Sequence, residues 1–199
     1  MKPTENLLAR LRQETELAHR RLDSHPVLRP LSTNAMVAEE YRRALRALYA
    51  PQHTLEALLL RQRLRFSGGS GGYVFRPRAP LLARDLADMG QPVSGAPVKE
   101  DALAVSLPAV LGYLYVLEGS RMGARLIRHQ VRAALGGSVP CRFFSATHGD
   151  GEWQAFRQFI ESECSPGEEA RVCAAAQAAF ACFLDGLERV ASDDGVPTQ

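Results

Sequence analysis

The chain has 199 residues, of which 46% are hydrophobic and 23% charged, with a formal net charge of +2. That is enough to bury one sizeable core and too little to require a second domain, so residues 1–199 read as a single domain with an ordered core over about 5–190. No run of about 18 apolar residues occurs, and "MKPTENLLARLRQETE" carries acidic residues where a signal peptide needs an apolar stretch, which points to a cytoplasmic protein without a membrane partner. Apart from Lys2 and Lys99 the positive charge is all arginine, and its near balance with acidic residues argues against a nucleic-acid binder.

The apolar spacing is helical almost throughout, and the chain reads as all-α, with about seven to eight helices. Thr4 is placed to cap a first helix running to about Ser24, with Leu8, Leu11, Thr15, His19 and Leu22 along one stripe and Pro26 stopping it. Thr33 or Asn34 begins a second helical region with Tyr41, Leu45, Leu48, Leu55, Leu58 and Leu59 inward, which Pro51 is expected to bend or interrupt. "SGGSGGY" at 67–73 lacks the Gly-Lys-Ser/Thr ending of a phosphate loop and reads as a flexible connection. "PLLARDLADMG" is a short helix closed by Gly90, and a Pro/Gly-rich loop follows to about residue 100.

Ser106 with Pro108 opens a long helix that Gly136 and Gly137 close. A further helix from about Gly151 to Cys164 carries Trp153, Phe156 and Phe159. "SPGE" at 165–168 reads as a capping box for a final helix to about Val190. The four cysteines, Cys141, Cys164, Cys173 and Cys182, form no CxxC pair and read as buried small hydrophobes.

Within the long helix, Gly112, Gly119 and Gly123 fall on one face, stripping it of side chains for three turns. Each glycine costs about 1 kcal/mol relative to alanine, so something must require close approach to the backbone. Two explanations stand: tight helix-helix packing, or a flat ligand lying against the face, with the helix bending at the glycines and the Ser120 hydroxyl available to it.

Of the five histidines, His19 alone sits on the apolar stripe of a well-formed helix. His53 reads as a core or hydrogen-bonding residue after a proline break, His25 as a helix-end residue, and His129 and His148 as exposed. Arg12 lies seven residues before His19, on the same face about 10.5 Å away. Asp23 lies one turn after it. A neutral imidazole that ligates iron needs its other nitrogen held, by Asp23 or by water, and a guanidinium two turns off suits a carboxylate at the rim of a planar ligand. Heme fits all three residues. Glu16 and His19 have the ExxH spacing of di-iron bundles, but no other histidine has Glu three residues before it, so the second motif is missing.

"LRQETELAHRRLD" at 11–23 and "YVLEGSRMGARLI" at 115–127 together resemble the proximal and distal helices of bacterial heme oxygenases. "YAPQHTLEAL", "ARDLADMGQPV" and "EWQAF" extend the similarity over about residues 5–190. The resemblance implies a helical fold with heme between the first helix and a kinked distal helix. His19 would be the proximal iron ligand, Gly119 and Gly123 the heme-contacting glycines, and Ser120 part of the distal wall. Arg12, with Tyr113 or Tyr115, would meet the propionates. Ala124 and Arg121 depart from the usual distal pattern, where a second glycine and a small residue stand, and would bear on how the ring sits.

It further implies that heme is cofactor and substrate, consumed with O2 and electrons to give biliverdin, CO and iron. A distal pocket without an acid-base His or Arg favours attack on the porphyrin over cleavage of the O–O bond. Ferredoxin, flavodoxin or an NADPH-dependent reductase is the expected electron donor, and the resemblance implies either iron acquisition or a phytochrome that receives the biliverdin. The alternatives are a heme-binding or heme-transfer protein of the same fold, and a non-heme helical enzyme, thiaminase-like, which would need a nucleophilic cysteine.

Overall fold

The computed structural model describes residues 6–61, 73–91, 93, 106–149 and 151–195. Among these there are seven α-helices, one 3₁₀ turn and no strand: α1 (Leu7–Ser24), the turn Arg29–Ser32, α2 (Ala38–Arg61), α3 (Ala79–Asp88), α4 (Leu107–Leu135), α5 (Arg142–Ser145), α6 (Glu152–Glu163) and α7 (Glu169–Asp193). The expected Thr4 cap and the glycine connection at 67–72 lie outside the described residues. Asn6 caps α1, its side chain accepting from the Leu8 N–H at 2.9 Å.

The helix α7 is the centre of the bundle. It passes for a membrane span by length and hydropathy, but its apolar window is 56% buried inside the protein, and α1, α2 and α4 all pack on it. α1 runs parallel to it: Glu14 meets Gln177, His19 meets Phe180, and His25 meets Glu188. α2 runs antiparallel, with Arg43 and Arg46 bound to Asp194 and Ala47 beside Gly186. α1 and α4 pack on α7 side by side and make few direct contacts with one another.

The second helical region departs from expectation twice. The 3₁₀ turn occupies the approach, and α2 starts only at Ala38, where Glu40 accepts from the Val37 N–H at 2.9 Å. Pro51 does not interrupt it: α2 is helical from end to end. Proline lacks the N–H that would reach the Ala47 carbonyl, and α7 presses its one bare residue onto that spot. A Cβ on Gly186 would lie 2.8 Å from the Ala47 oxygen and 3.1 Å from Pro51 Cγ. The inward leucines and Tyr41 are buried as the spacing predicts.

Ser106 caps α4, and Gly136, at φ 87°, ends it. The helix α4 is unbroken through both central glycines. The expected capping box at 165–168 does not form. Gly167, at φ 91°, makes a turn instead, the Glu168 N–H bonds to the Ser165 carbonyl at 3.1 Å, and α7 begins at Glu169. Cys141, Cys173 and Cys182 are buried and Cys164 half-buried, all as free thiols.

Two buried carboxylates organise the α2–α3–α5 corner. Glu56 accepts from the N–H groups of Arg78 and Ala79, the latter at 2.8 Å, and so caps α3. Asp85 accepts from the Phe143 N–H at 2.9 Å and from Arg142 at 3.0 Å, setting α5.

Candidate functional site

On α1, Leu7, Leu11 and Thr15 are buried against the bundle, and the Thr15 hydroxyl donates to the Leu11 carbonyl at 2.7 Å. His19, one turn further, lies at the margin of this stripe with its side chain 61% exposed. Its Nδ1 is 2.9 Å from Asp23 Oδ2, and its ring edge rests on Phe180 with centroids 5.9 Å apart. The carboxylate fixes the ring and favours the Nδ1–H tautomer, so that Nε2 is the nitrogen turned away from Asp23.

The three glycines of α4 divide between the two explanations for them. At Gly112 a Cβ would lie 2.5 Å from the Val172 carbonyl oxygen and 2.7 Å from Ala175 Cβ, so this glycine is where α4 meets α7. At Gly119 and Gly123 a Cβ would meet nothing within 4 Å. Their face is open, and Met122 and Leu126, 56% and 59% exposed, flank them. Large apolar side chains in solvent beside bare backbone are the surface a flat apolar ligand covers.

Tyr115, on the same face one turn before Gly119, lies beside Thr15 and Arg12 of α1. Burial raises its phenol pKa most, while Thr15 and Arg12 oppose the rise. This contact sets Tyr115, on the glycine face of α4, against the α1 stripe that continues from Leu11 and Thr15 to His19. Tyr113 is excluded from it: at 2% exposure it is buried in the core, because two residues on a helix lie on nearly opposite sides.

Other expectations change as well. The Ser120 hydroxyl donates to the Leu117 carbonyl at 2.7 Å and accepts from Arg78 rather than lining the glycine face. Arg121 and Ala124 are buried on the far side of α4. Arg121 Nε is 3.1 Å from Glu118 Oε2, and the guanidinium also donates to the Arg76 carbonyl. His148 is half-buried rather than exposed, donating from Nε2 to the Glu118 carbonyl at 3.0 Å, while Tyr73 donates to Glu118 Oε1 at 2.8 Å. Burial, then Glu118, pushes the Tyr73 phenol pKa up. His25 is buried too, with Nδ1 accepting from the Val27 N–H at 3.2 Å, whereas His53 is exposed and lies against Tyr49. Sequence reasoning passed over Phe180, Met122 and Leu126. The last two share the Gly119 face at three and seven residues on, a signal that reads as core until nothing covers it.

No cysteine is set up as a nucleophile, since burial raises all four thiols, Cys182 to about 11.

A family model described as heme oxygenase matches residues 5–189. The chain is 30% identical over 155 residues to heme oxygenase PigA of Pseudomonas aeruginosa, covering 76% of this chain and 77% of that one. It is 35% identical over 118 residues to a heme oxygenase of Xanthomonas campestris, covering 56% of this chain and 68% of that one. Its fold matches that of heme oxygenase from Leptospira interrogans with a TM-score of 0.76, at 18% identity over 92% of this chain and 99% of that one. With its helical bundle, a histidine held by an acid one turn on and a bare glycine face, the chain belongs to the heme oxygenase family.

Proposed function

We propose that this heme oxygenase seats its substrate in the cleft between α1 and α4, with His19 as the proximal iron ligand. The reaction consumes heme, O2 and electrons and yields biliverdin, CO and iron. The observation that carries the site is the pairing of an imidazole oriented by Asp23 at 2.9 Å with a helix face on which a Cβ at Gly119 or Gly123 would meet nothing within 4 Å.

Bound heme supplies the iron at which O2 is reduced and the porphyrin carbon that is attacked. The chain supplies the rest. Asp23 holds the His19 Nδ1–H and raises the basicity of Nε2. Met122 and Leu126 cover apolar ring surface and exclude water. Gly119 and Gly123 allow the α4 backbone to approach the ring closely, so that attack is confined to one edge. Arg12, beside Tyr115 at the end of the cleft, pairs with a propionate. Ser120 and Arg121 are engaged behind α4, so the glycine turns present no arginine or histidine to the ring.

The protein acts as a single cytoplasmic domain, taking electrons from a ferredoxin, flavodoxin or NADPH-dependent reductase. Support for that donor class is an arginine-rich surface suited to acidic partners.

The test is a hemin titration of the purified protein followed in the Soret band, then reductant with catalase present. Wild type should form a stoichiometric complex and convert it to biliverdin, and His19→Ala should lose the His-ligated spectrum. An unchanged spectrum in His19→Ala overturns the ligand assignment. A stable complex that never yields biliverdin overturns turnover in favour of heme carriage.

A further inference from the structure

Behind α4, on the side away from the glycine face, lies a cavity of about 480 Å³ lined by Arg76, Arg78, Arg84, Arg121, Leu81 and Glu152, among others. The charges around it do not cancel. Glu152 is fully engaged: it accepts from the Gly149 N–H at 2.8 Å and from Arg76, and these contacts, Gly149 first, hold its carboxyl below the usual range. Arg121 is paired with Glu118.

Two guanidinium groups remain. Arg78 is only 2% exposed, yet its guanidinium donates to neutral acceptors, the Leu117 carbonyl at 2.9 Å and the Ser120 hydroxyl, and lies 4.7 Å from the Phe143 ring centre. Burial and then Arg121 pull its pKa down to about 10, against the opposing pull of the Glu118 and Glu56 carboxylates, neither of which hydrogen-bonds its guanidinium. Arg84, exposed, forms no hydrogen bond or ion pair among the described residues.

We infer that this cavity binds a small, multiply charged oxyanion, a polycarboxylate or a phosphate ester, between Arg78 and Arg84. Guanidinium groups match the planar oxygens of either chemistry, and the volume falls in the range of about 300–1,000 Å³ usual for small-molecule sites. An oxyanion supplies counter-charge to a cavity whose lining carries four arginines against the single carboxylate of Glu152. Leu81 with Pro77 and Pro80 offers an apolar wall to a short carbon skeleton. The site is separate from the heme cleft and does not depend on the assignment of His19.

Isothermal titration of the heme-free protein with pyrophosphate in one arm and citrate in another tests this, with sodium chloride at matched ionic strength as the control for screening. Saturable one-to-one binding is expected in at least one arm, and the arm that binds identifies the chemistry. Arg84→Gln, at an exposed position that leaves folding intact, should weaken binding about tenfold. Arg171→Gln, on an exposed arginine paired with Glu168 outside the cavity, should not change it. His19→Ala should bind the oxyanion as wild type does, which keeps the outcome independent of the heme assignment. No saturable binding in either arm, binding undiminished in Arg84→Gln, or an equal loss in Arg171→Gln overturns the proposal.

Discussion

Substitution of the three α4 glycines by alanine should give effects of opposite sign at positions that share one helical face. At Gly112 the new methyl would sit 2.5 Å from the Val172 carbonyl oxygen and 2.7 Å from both Ala175 Cβ and the Ala176 nitrogen. Two of these are backbone atoms, so α7 has to move by about 1 Å to restore van der Waals contact. Overpacking of this kind costs about 1–3 kcal/mol or more, and the helix-propensity gain of about 1 kcal/mol offsets only part of it. Gly112→Ala should therefore lose about 1–2 kcal/mol of stability. Gly119→Ala and Gly123→Ala meet nothing within 4 Å. Each should stabilise the heme-free protein by up to about 1 kcal/mol, or about 2–4 °C in melting temperature for a chain of this size.

The same two methyl groups occupy the face proposed for heme. Their heme affinity should fall about tenfold or the biliverdin regiochemistry should shift, while Gly112→Ala should bind heme as wild type does once folded. Urea denaturation of heme-free protein, paired with Soret titration of each variant, reads both quantities. A Gly112→Ala protein as stable as wild type would refute the packing assignment. Gly119→Ala and Gly123→Ala proteins that bind heme like wild type and yield the same biliverdin isomer would refute the assignment of the open face.

Glu56→Gln keeps the shape of the α3 cap but removes the charge that accepts from Arg78 and Ala79, and should cost about 1–3 kcal/mol in urea denaturation. Asp194 ties the end of α7 to Arg46 and Arg43 of α2, and those hydrogen bonds, Arg46 first, lower its carboxyl pKa. A lowered folded pKa means that the contribution is complete above the unfolded value of about 3.9 and is lost as pH falls through the folded one. Asp194→Asn should be less stable than wild type by about 0.5–1 kcal/mol at pH 7, with the gap closing as pH falls below the ordinary aspartate range. A gap that stays constant with pH would show that the ion pair is not its source.

The ends of α1, α3 and α4 were readable because caps and stops are local: Pro26 after α1, Gly90 after α3, Ser106 and Gly136 around α4. The inward residues of α2 followed from periodicity alone. Local signals misled where a neighbouring helix changed the balance. Pro51 was expected to bend or interrupt α2, but α7 packs over the freed Ala47 carbonyl through Gly186 and the helix continues through it. Ser165 had the pattern of a cap, but the turn at Gly167 delayed α7 by a few residues.

At the site, His19 and Asp23 were legible because i,i+4 neighbours on a helix meet whatever surrounds them. Helical spacing already puts Tyr115, four residues before Gly119, on the glycine face and Tyr113 off it, but the direction of the Ser120 hydroxyl was not legible, since it depends on where Arg78 arrives from elsewhere in the chain.

By itself the sequence determined an all-helical chain, a histidine with an acid one turn on, and a helix face emptied of side chains. Only the tertiary structure decided what each empty position is for. Gly112, Gly119 and Gly123 have the same helical address, and the difference lies in what α7 reaches: it presses its backbone against the first and stops short of the other two. Periodicity specifies which residues share a face, but occupancy of that face is a long-range property, set by where a second helix packs.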